Sequence, residues 1–184
     1  MRIVWMILFL GFAYCGIARA ADEFDGVQCG TGIRQSLIGK HSGKGPVRRI
    51  EAKHKDLGLK DLGGVEISDK LFEVSWRICG KQYNVLLNLR TNVIRDVIEF
   101  PTHSSTQPEF DGVCQINHQS MPDALEGVLD NRAGLNPRDS KRAKTMLPAV
   151  VAWKVDEYAE RFVAVSVDNL MCPLSGVITA DGGF

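Results

Sequence analysis

The stretch Phe72-Glu73-Val74-Ser75-Trp76-Arg77-Ile78 alternates apolar and polar residues without interruption. This period of two is typical of a β-strand that buries one face. A Gly80-Lys81 turn follows, and a second run of the same kind spans residues 82–87. After a further turn, residues 93–100 form a third strand-like segment. The sequence therefore predicts an antiparallel meander in the first half of the chain.

Short helices are expected beside these strands. In the first half, Thr31 can cap a helix whose apolar residues within 33–38 share one face. In the second half, apolar residues spaced at i, i+3, i+4, i+7 and i+8 predict a helix over residues 121–129, and a proline at its start predicts another over residues 137–146. Further strands are predicted at residues 47–52, 150–155, 161–165 and 176–179. The predicted class is α+β, with antiparallel meanders and short helices on one face.

Composition and charge narrow the class of protein. The chain has 184 residues, of which 45% are hydrophobic, and 22 basic side chains balance 22 acidic ones. Together with a mean hydropathy of −0.06, these values fit a globular domain and argue against a disordered chain, a collagen-like fibre and a multi-span membrane protein. Because the formal net charge is zero, no long-range field favours a nucleic acid as partner.

The amino terminus has the pattern of a signal peptide. Arg2 precedes an uncharged, mostly apolar run over residues 3–13, which is too short to span a bilayer as a helix. Ala18-Arg19-Ala20 then supplies small residues at a cleavage site. Lipidation of Cys15 is not expected, because the residue before it is a tyrosine. The pattern predicts cleavage after residue 20, a secreted or periplasmic location, and no membrane attachment after cleavage.

Beyond Cys15, the remaining cysteines are Cys29, Cys79, Cys114 and Cys172. An even number in an exported chain predicts two disulfides, for which three pairings are possible. A metal site is the alternative, but no two of these cysteines have the close spacing of zinc ligands, and no cofactor is expected. Pairing within each half, Cys29 with Cys79 and Cys114 with Cys172, is the arrangement we predict.

Two short sequence patterns occur twice in the chain. Glu-Phe-Asp-Gly-Val occurs at residues 23–27 and again at 109–113, and a cysteine follows each copy. A tryptophan-centred strand pattern occurs at residues 74–78 and again at 151–155. These echoes are compatible with a tandem duplication of a helix-plus-meander unit, or with coincidence between common turn and strand patterns. The predicted units are residues 21–100 and 109–184, joined by a polar linker at 101–108 within one compact domain.

Motifs with established chemistry are missing from the sequence. No phosphate-binding loop, dinucleotide fingerprint, nucleophile elbow or zinc-hydrolase motif occurs. Asp25 and Asp111 are candidates for a carboxylate pair, with His103 beside them, but Asp-Gly is first of all a turn dipeptide, and turns are the reading we favour. Trp76 and Trp153 are candidate ligand platforms, yet their phase with apolar neighbours favours core positions.

These observations leave two classes of function open. The first is an exported, disulfide-stabilised globular protein that binds a protein or a small ligand in the cell envelope or outside it, as a non-enzymatic or inhibitor-like module. The alternative is a small exported hydrolase whose site is assembled from residues distant in sequence. A purely structural component of an envelope assembly is a third option. The sequence assigns no catalytic residue and no metal ligand.

Overall fold

The first half of the chain folds into a four-stranded antiparallel sheet. A computed structural model describes residues 22–30, 32–43, 47–104, 106–136 and 145–174. The strands of the first sheet are β1 (Lys60–Glu66), β2 (Leu71–Ile78), β3 (Lys81–Asn88) and β4 (Val93–Phe100), in the order β1-β2-β3-β4. The predicted meander is confirmed, and β1 extends it by one strand.

Helices cover one face of this sheet. They are α1 (Ile33–Leu37) and α2 (Val47–Lys53), and a 3₁₀ turn (Lys55–Leu57) follows α2. The helix expected near residue 33 is confirmed, but Gly32 precedes it as the cap residue, and the predicted cap, Thr31, lies outside the described residues. The strand predicted at residues 47–52 is wrong, because these residues belong to α2. The Arg48-Arg49 pair already interrupts the alternation of a strand, and the Ile50 side chain packs this short helix against the core.

The second half forms a five-stranded antiparallel sheet. Its strands are β5 (Glu109–Ile116), β6 (Gln119–Leu129), β7 (Met146–Asp156), β8 (Arg161–Val165) and β9 (Leu170–Pro173), in the order β6-β5-β9-β7-β8. β6 also pairs with β7, so β5, β6, β7 and β9 form a closed ring of pairings. Both strands predicted at residues 150–155 and 161–165 are confirmed.

The helix predicted over residues 121–129 is wrong, because this segment is most of β6. Its apolar spacing suits a helix locally, but pairing with β5 on one side and β7 on the other determines the structure. Gly127 is required where the strands approach, since a Cβ there would lie 2.0 Å from the carbonyl oxygen of Val151. The helix predicted at 137–146 and the strand at 176–179 fall largely outside the described residues, except that Met146 begins β7.

Apolar side chains form three clusters. The first core lies between the helix-covered face of the first sheet and the amino-terminal segment, and it includes Trp76. The second lies inside the ring of the second half. The third, which we call the inter-sheet layer, contains Leu71, Leu86 and Phe162, with Trp153 against them. The chain is thus mostly β with little helix, so α+β describes it only in part.

Each half carries one disulfide. Cys29 is bonded to Cys79 and joins the amino-terminal segment to the end of β2, and Cys114 is bonded to Cys172 and joins β5 to β9. These are the two expected pairs, and they are compatible with an extracellular or periplasmic location. Within the described part of the chain, no helix is long and apolar enough to cross a membrane.

A tandem duplication is not shown by the two sheets. The first copy of Glu-Phe-Asp-Gly-Val, residues 23–27, lies in a turn, whereas the second copy, residues 109–113, lies within β5. The tryptophans differ as well, because Trp76 belongs to the first core and Trp153 to the inter-sheet layer.

Candidate functional site

A cavity opens into the first core. Its volume is about 150 Å³, and it lies between the helix-covered face of the first sheet, α2 and the amino-terminal turn. Its walls are mostly apolar and aromatic side chains: Phe24, Ile50, Leu59, Phe72, Val74, Trp76 and Leu87. The alternation in β2 produces this wall directly, because Phe72, Val74 and Trp76 all face the same side of the strand.

Acidic side chains supply the charge at this cavity. Glu23, Glu51 and Asp61 line it beside the apolar wall, together with Ser42 and Gly43. Among the described lining residues there is no lysine, arginine or histidine. The cavity therefore presents negative charge next to aromatic rings.

The Glu23 carboxylate is the most deeply placed of these groups. The residue is 2% exposed. Its Oε2 accepts a 2.7 Å hydrogen bond from the backbone N–H of Gly43, and its Oε1 accepts a 3.2 Å bond from the Ser42 hydroxyl. These donors are neutral, and the Lys40 ammonium donates to the backbone carbonyl of Glu23 at 2.8 Å and not to its carboxylate, so no hydrogen bond from a cation to this carboxylate is found among the described residues. A buried carboxylate is costly unless it is paired, which makes Glu23 the candidate partner of a cation.

A tight turn positions Glu23 and Phe24. The backbone N–H of Phe24 donates to Asp22 Oδ1, and the backbone N–H of Asp22 donates to Asp25 Oδ2, both at 2.9 Å. Gly26 completes the turn with a φ of 82°, a value that glycine adopts without strain. Phe24 then packs edge-on against Trp76, with ring centroids 4.7 Å apart. The expectation that Asp25 shapes a turn agrees with these contacts.

Beside the turn, Asp22, Asp25 and His54 form a cluster whose ligand atoms all lie within 4.8 Å of one another. Such a set could hold a metal ion. The Lys53 ammonium, however, already contacts both carboxylates, at 2.8 Å from Asp22 Oδ2 and 2.6 Å from Asp25 Oδ1. Partial burial works against ionisation of Asp22, but the hydrogen bonds from Lys53 and His54 hold its pKa below the usual value. The cluster is therefore an ion-pair network that fastens the turn to α2.

The residues considered for a hydrolase do not come together. Asp25 lies with Phe24 on the helix-covered side of the first sheet. Asp111 lies in β5, close enough to Glu73 to act on its charge, and Glu73 faces away from Trp76 on β2. The turn expected at Asp111 is wrong, because that residue is in a strand. His103 contacts a third group, with its Nε2 2.8 Å from Glu109 Oε1.

A second, wider cavity of about 460 Å³ lies at the edge of the first sheet near Trp153. Polar side chains line much of it, and they are already paired: Arg34 with Asp96, and Lys81 with Glu99. Tyr83 Oη donates to Glu99 Oε2 at 3.3 Å, and burial followed by the Glu99 charge raises the pKa of Tyr83 to about 12. Its paired charges make it a weaker candidate than the acid-lined cavity.

Sequence reasoning missed the acids of the first cavity. Glu23 occurs in the repeated pentapeptide, whose Asp-Gly dipeptide predicts a turn but gives no sign that the glutamate is buried. Glu51 lies in the segment mistaken for a strand, and Asp61 in a glycine-containing stretch. No local signal distinguishes a glutamate that will be 2% exposed from one on the surface.

Comparisons with known protein families, curated proteins and solved structures gave no match. Fold and site together define the class: a disulfide-stabilised globular protein of two antiparallel sheets, with an acid-lined apolar cavity in its first half.

Proposed function

We propose that this protein is an exported, non-enzymatic binding module, and that the cavity of its first half binds a small cationic ligand with an apolar, ring-sized body. The observation that carries the proposal is the buried Glu23 carboxylate, whose hydrogen bonds come from neutral donors at the wall of an apolar cavity. A ligand ammonium near this carboxylate would give it a charged partner, which its hydrogen bonds from the described residues do not.

The aromatic lining favours the same class of ligand. Trp76, Phe24 and Phe72 border the cavity, and aromatic faces attract cations by about 0.5–2 kcal/mol. Glu51 and Asp61 add negative charge at the same wall. An anionic ligand would meet repulsion from all three acids, so discrimination by charge is expected.

Size limits the ligand further. A cavity of about 150 Å³ is comparable to one that holds a benzene molecule. It is smaller than most sites for drug-sized ligands, which occupy roughly 300–1,000 Å³. The apolar part of the ligand is therefore expected to be one aromatic ring or a short branched aliphatic chain.

Export belongs to the same proposal. The amino-terminal pattern predicts cleavage after residue 20, and two disulfides suit an oxidising compartment. Mass spectrometry of the protein recovered from its native compartment tests this. A mature chain beginning at residue 21 is the expected result, and a chain that keeps residue 1 would contradict it.

Calorimetric titration tests the ligand with three probes of one shape. Phenethylammonium, 2-phenylethanol and 3-phenylpropionate differ mainly in charge, as cation, neutral molecule and anion. The cation is expected to bind at least about tenfold more tightly than the alcohol, which corresponds to about 1.4 kcal/mol, and the anion is expected not to bind measurably.

Two variants test whether the preference for the cationic probe arises in the cavity. In Glu23→Gln the amide oxygen can still accept from Gly43, so the fold is kept while the charge is lost; the cation and the alcohol should then bind equally. Glu66→Gln is the matched control on the exposed part of β1 and should behave as wild type. Equal binding of all three probes to the wild type contradicts the proposal, whereas turnover of chromogenic ester or glycoside substrates would favour the hydrolase alternative.

A further inference from the structure

A polar cluster bridges the two sheets within the inter-sheet layer. Asn84 of β3 donates from its Nδ2 to Glu73 Oε1 of β2 at 2.9 Å and to Glu126 Oε2 of β6 at 2.7 Å. The amide is held in this orientation because its Oδ1 accepts from the Ser75 hydroxyl at 3.0 Å. One amide group of the first sheet therefore binds a carboxyl group of each sheet.

The two carboxyl groups also meet each other. Glu73 is 8% exposed, and its Oε1 accepts from the same Asn84 Nδ2 as Glu126 Oε2, so the two carboxyl groups lie side by side on one nitrogen. Glu126 Oε1 is fully buried, and no hydrogen-bond donor in the described part of the chain reaches it. Two ionised carboxylates side by side repel each other and cannot donate to one another, so a proton on one of them would relieve the repulsion and supply a donor within the pair.

The surroundings hold more negative than positive charge. Asp111 and Glu109, both on β5, raise the pKa of Glu73 through their charges, and Asp111 does the same for Glu126. Glu109 is itself engaged by His103 of the linker, by Gln82 of β3 and by the charge of Arg77 of β2. Burial nevertheless outweighs these contacts and raises the pKa of Glu109, whereas the hydrogen bonds that the Glu73 and Glu126 side chains accept come from Asn84.

We propose that Glu73 and Glu126 share one proton across the two sheets, and that losing this proton loosens the contact between the sheets. The pair is then a pH-sensitive device built into the fold. It is independent of the cavity, because neither glutamate lines it.

The sign of the effect follows from burial. Burial raises the pKa of both glutamates, most strongly that of Glu126, where the neighbouring Glu73 raises it further. Glutamate in the unfolded chain has a pKa of about 4.3. Above this pH, the folded state therefore still binds a proton that the unfolded chain has already released. The stabilisation that the shared proton gives is complete at pH values below the pKa of the unfolded chain. It is lost as pH rises through the raised pKa of the pair in the folded state.

Urea unfolding of the wild type from pH 4 to pH 9 measures this dependence. One proton of difference makes the unfolding equilibrium constant rise by up to about tenfold per pH unit within the window. Glu126→Gln and Glu73→Gln each place an N–H donor where the shared proton lies. In each variant, the free energy of unfolding should change less steeply with pH than in the wild type, by the equivalent of about one bound proton. At the alkaline end of the range, each variant should unfold at a higher urea concentration than the wild type.

Two further measurements keep the test decisive if a variant does not fold. Carbon-13 NMR of glutamate carboxyl groups in the wild type should find one of the pair titrating well above the usual range. The amide of Phe162, which donates to Asp96 Oδ2 across the sheets at 2.9 Å, should lose hydrogen-exchange protection over the same pH window.

Glu66→Gln on the exposed face of β1 is the control and should retain the wild-type slope. The proposal is overturned if both glutamates titrate near their ordinary value, or if E126Q and E73Q keep the wild-type slope. Loss of slope without any change in Phe162 protection would also overturn it, because the proton would then not act on the contact between the sheets.

Discussion

The first core and the inter-sheet layer are built in different ways. In the first core, apolar side chains from helices, strands and the amino-terminal turn surround a cavity, and a disulfide crosses beside them. In the inter-sheet layer, a small apolar cluster is flanked by buried charged groups that reach from one sheet to the other. Cohesion within each half is therefore mainly hydrophobic and covalent, whereas the contact between the halves combines a small apolar cluster with buried polar and charged groups.

Removing one disulfide at a time is expected to produce the largest effects. The two bonds close separations of 50 and 58 residues, so chain entropy assigns each of them about 4 kcal/mol as an upper figure. Cys29→Ala/Cys79→Ala and Cys114→Ala/Cys172→Ala should thus lose similar stability in urea. Only the first should also weaken phenethylammonium binding, because only that bond anchors the segment carrying Glu23. If both double variants weakened phenethylammonium binding equally, the binding cavity would depend on the second half of the chain as much as on the first.

Asp96 is expected to be the most important side chain between the sheets. It is 6% exposed, its Oδ2 accepts from the backbone N–H of Phe162, and its Oδ1 accepts from Arg34 and from the N–H of Val97. Asp96→Ala leaves these donors without their acceptor and should cost about 2–3 kcal/mol in urea unfolding. Arg34→Ala, which removes only the half-exposed partner, should cost much less. If Asp96→Ala and Arg34→Ala lost the same stability, the ion pair with Arg34, and not the contact between the sheets, would explain the effect of Asp96.

Glu160 should give the opposite dependence on pH from the shared-proton pair. It accepts from Asn88 at 2.9 Å and contacts Lys70 at 2.6 Å and Arg95, all of the first sheet or its turns. The bond from Lys70, and then the charge of Arg95, hold the pKa of Glu160 below its usual value. The ionised Glu160 carboxylate therefore stabilises the fold at pH values above the pKa that glutamate has in the unfolded chain. This stabilisation is lost as pH falls through the lowered pKa of the folded state.

Glu160→Gln should lower stability at pH 6, where the ionised carboxylate contributes, and should lose less further stability than the wild type as pH falls, which flattens the acid side of the stability profile. Thermal melts from pH 3 to pH 6 compare it with wild type. A variant that loses stability equally at every pH would mean that Glu160 acts through packing alone.

Asp25→Asn is expected to have the smallest effect. Asparagine can accept the same bond from the N–H of Asp22, and the Lys53 contact is solvent-exposed. The melting temperature should fall by less than about 2 °C. Gly26→Val is the matched variant in the same turn and should cost more, because its φ of 82° is unfavourable for a branched residue. A large loss in Asp25→Asn would mean that the ion-pair network, and not the turn, holds the amino-terminal segment.

Local sequence determined the elements that need only local patterning. The meander of β2, β3 and β4 follows from alternation with short turns, and α1 follows from its apolar spacing. The pairing of cysteines within each half follows from the arrangement of the chain into two consecutive sheets.

Long-range pairing decided the rest. Residues 121–129 carry helical spacing, yet they form β6 because β5 and β7 satisfy their backbone groups on both sides. The same reason explains why Asp25 and Asp111, in identical pentapeptides, lie in a turn and in a strand. The burial of Glu23, Glu73 and Glu126 is likewise invisible in sequence, since a carboxylate's neighbours are set by which strands and loops fold against it. The sequence thus determined the meander of β2, β3 and β4 and the two disulfide pairs, and only the tertiary structure decided which acids are buried, because burial depends on contacts between residues far apart in the chain.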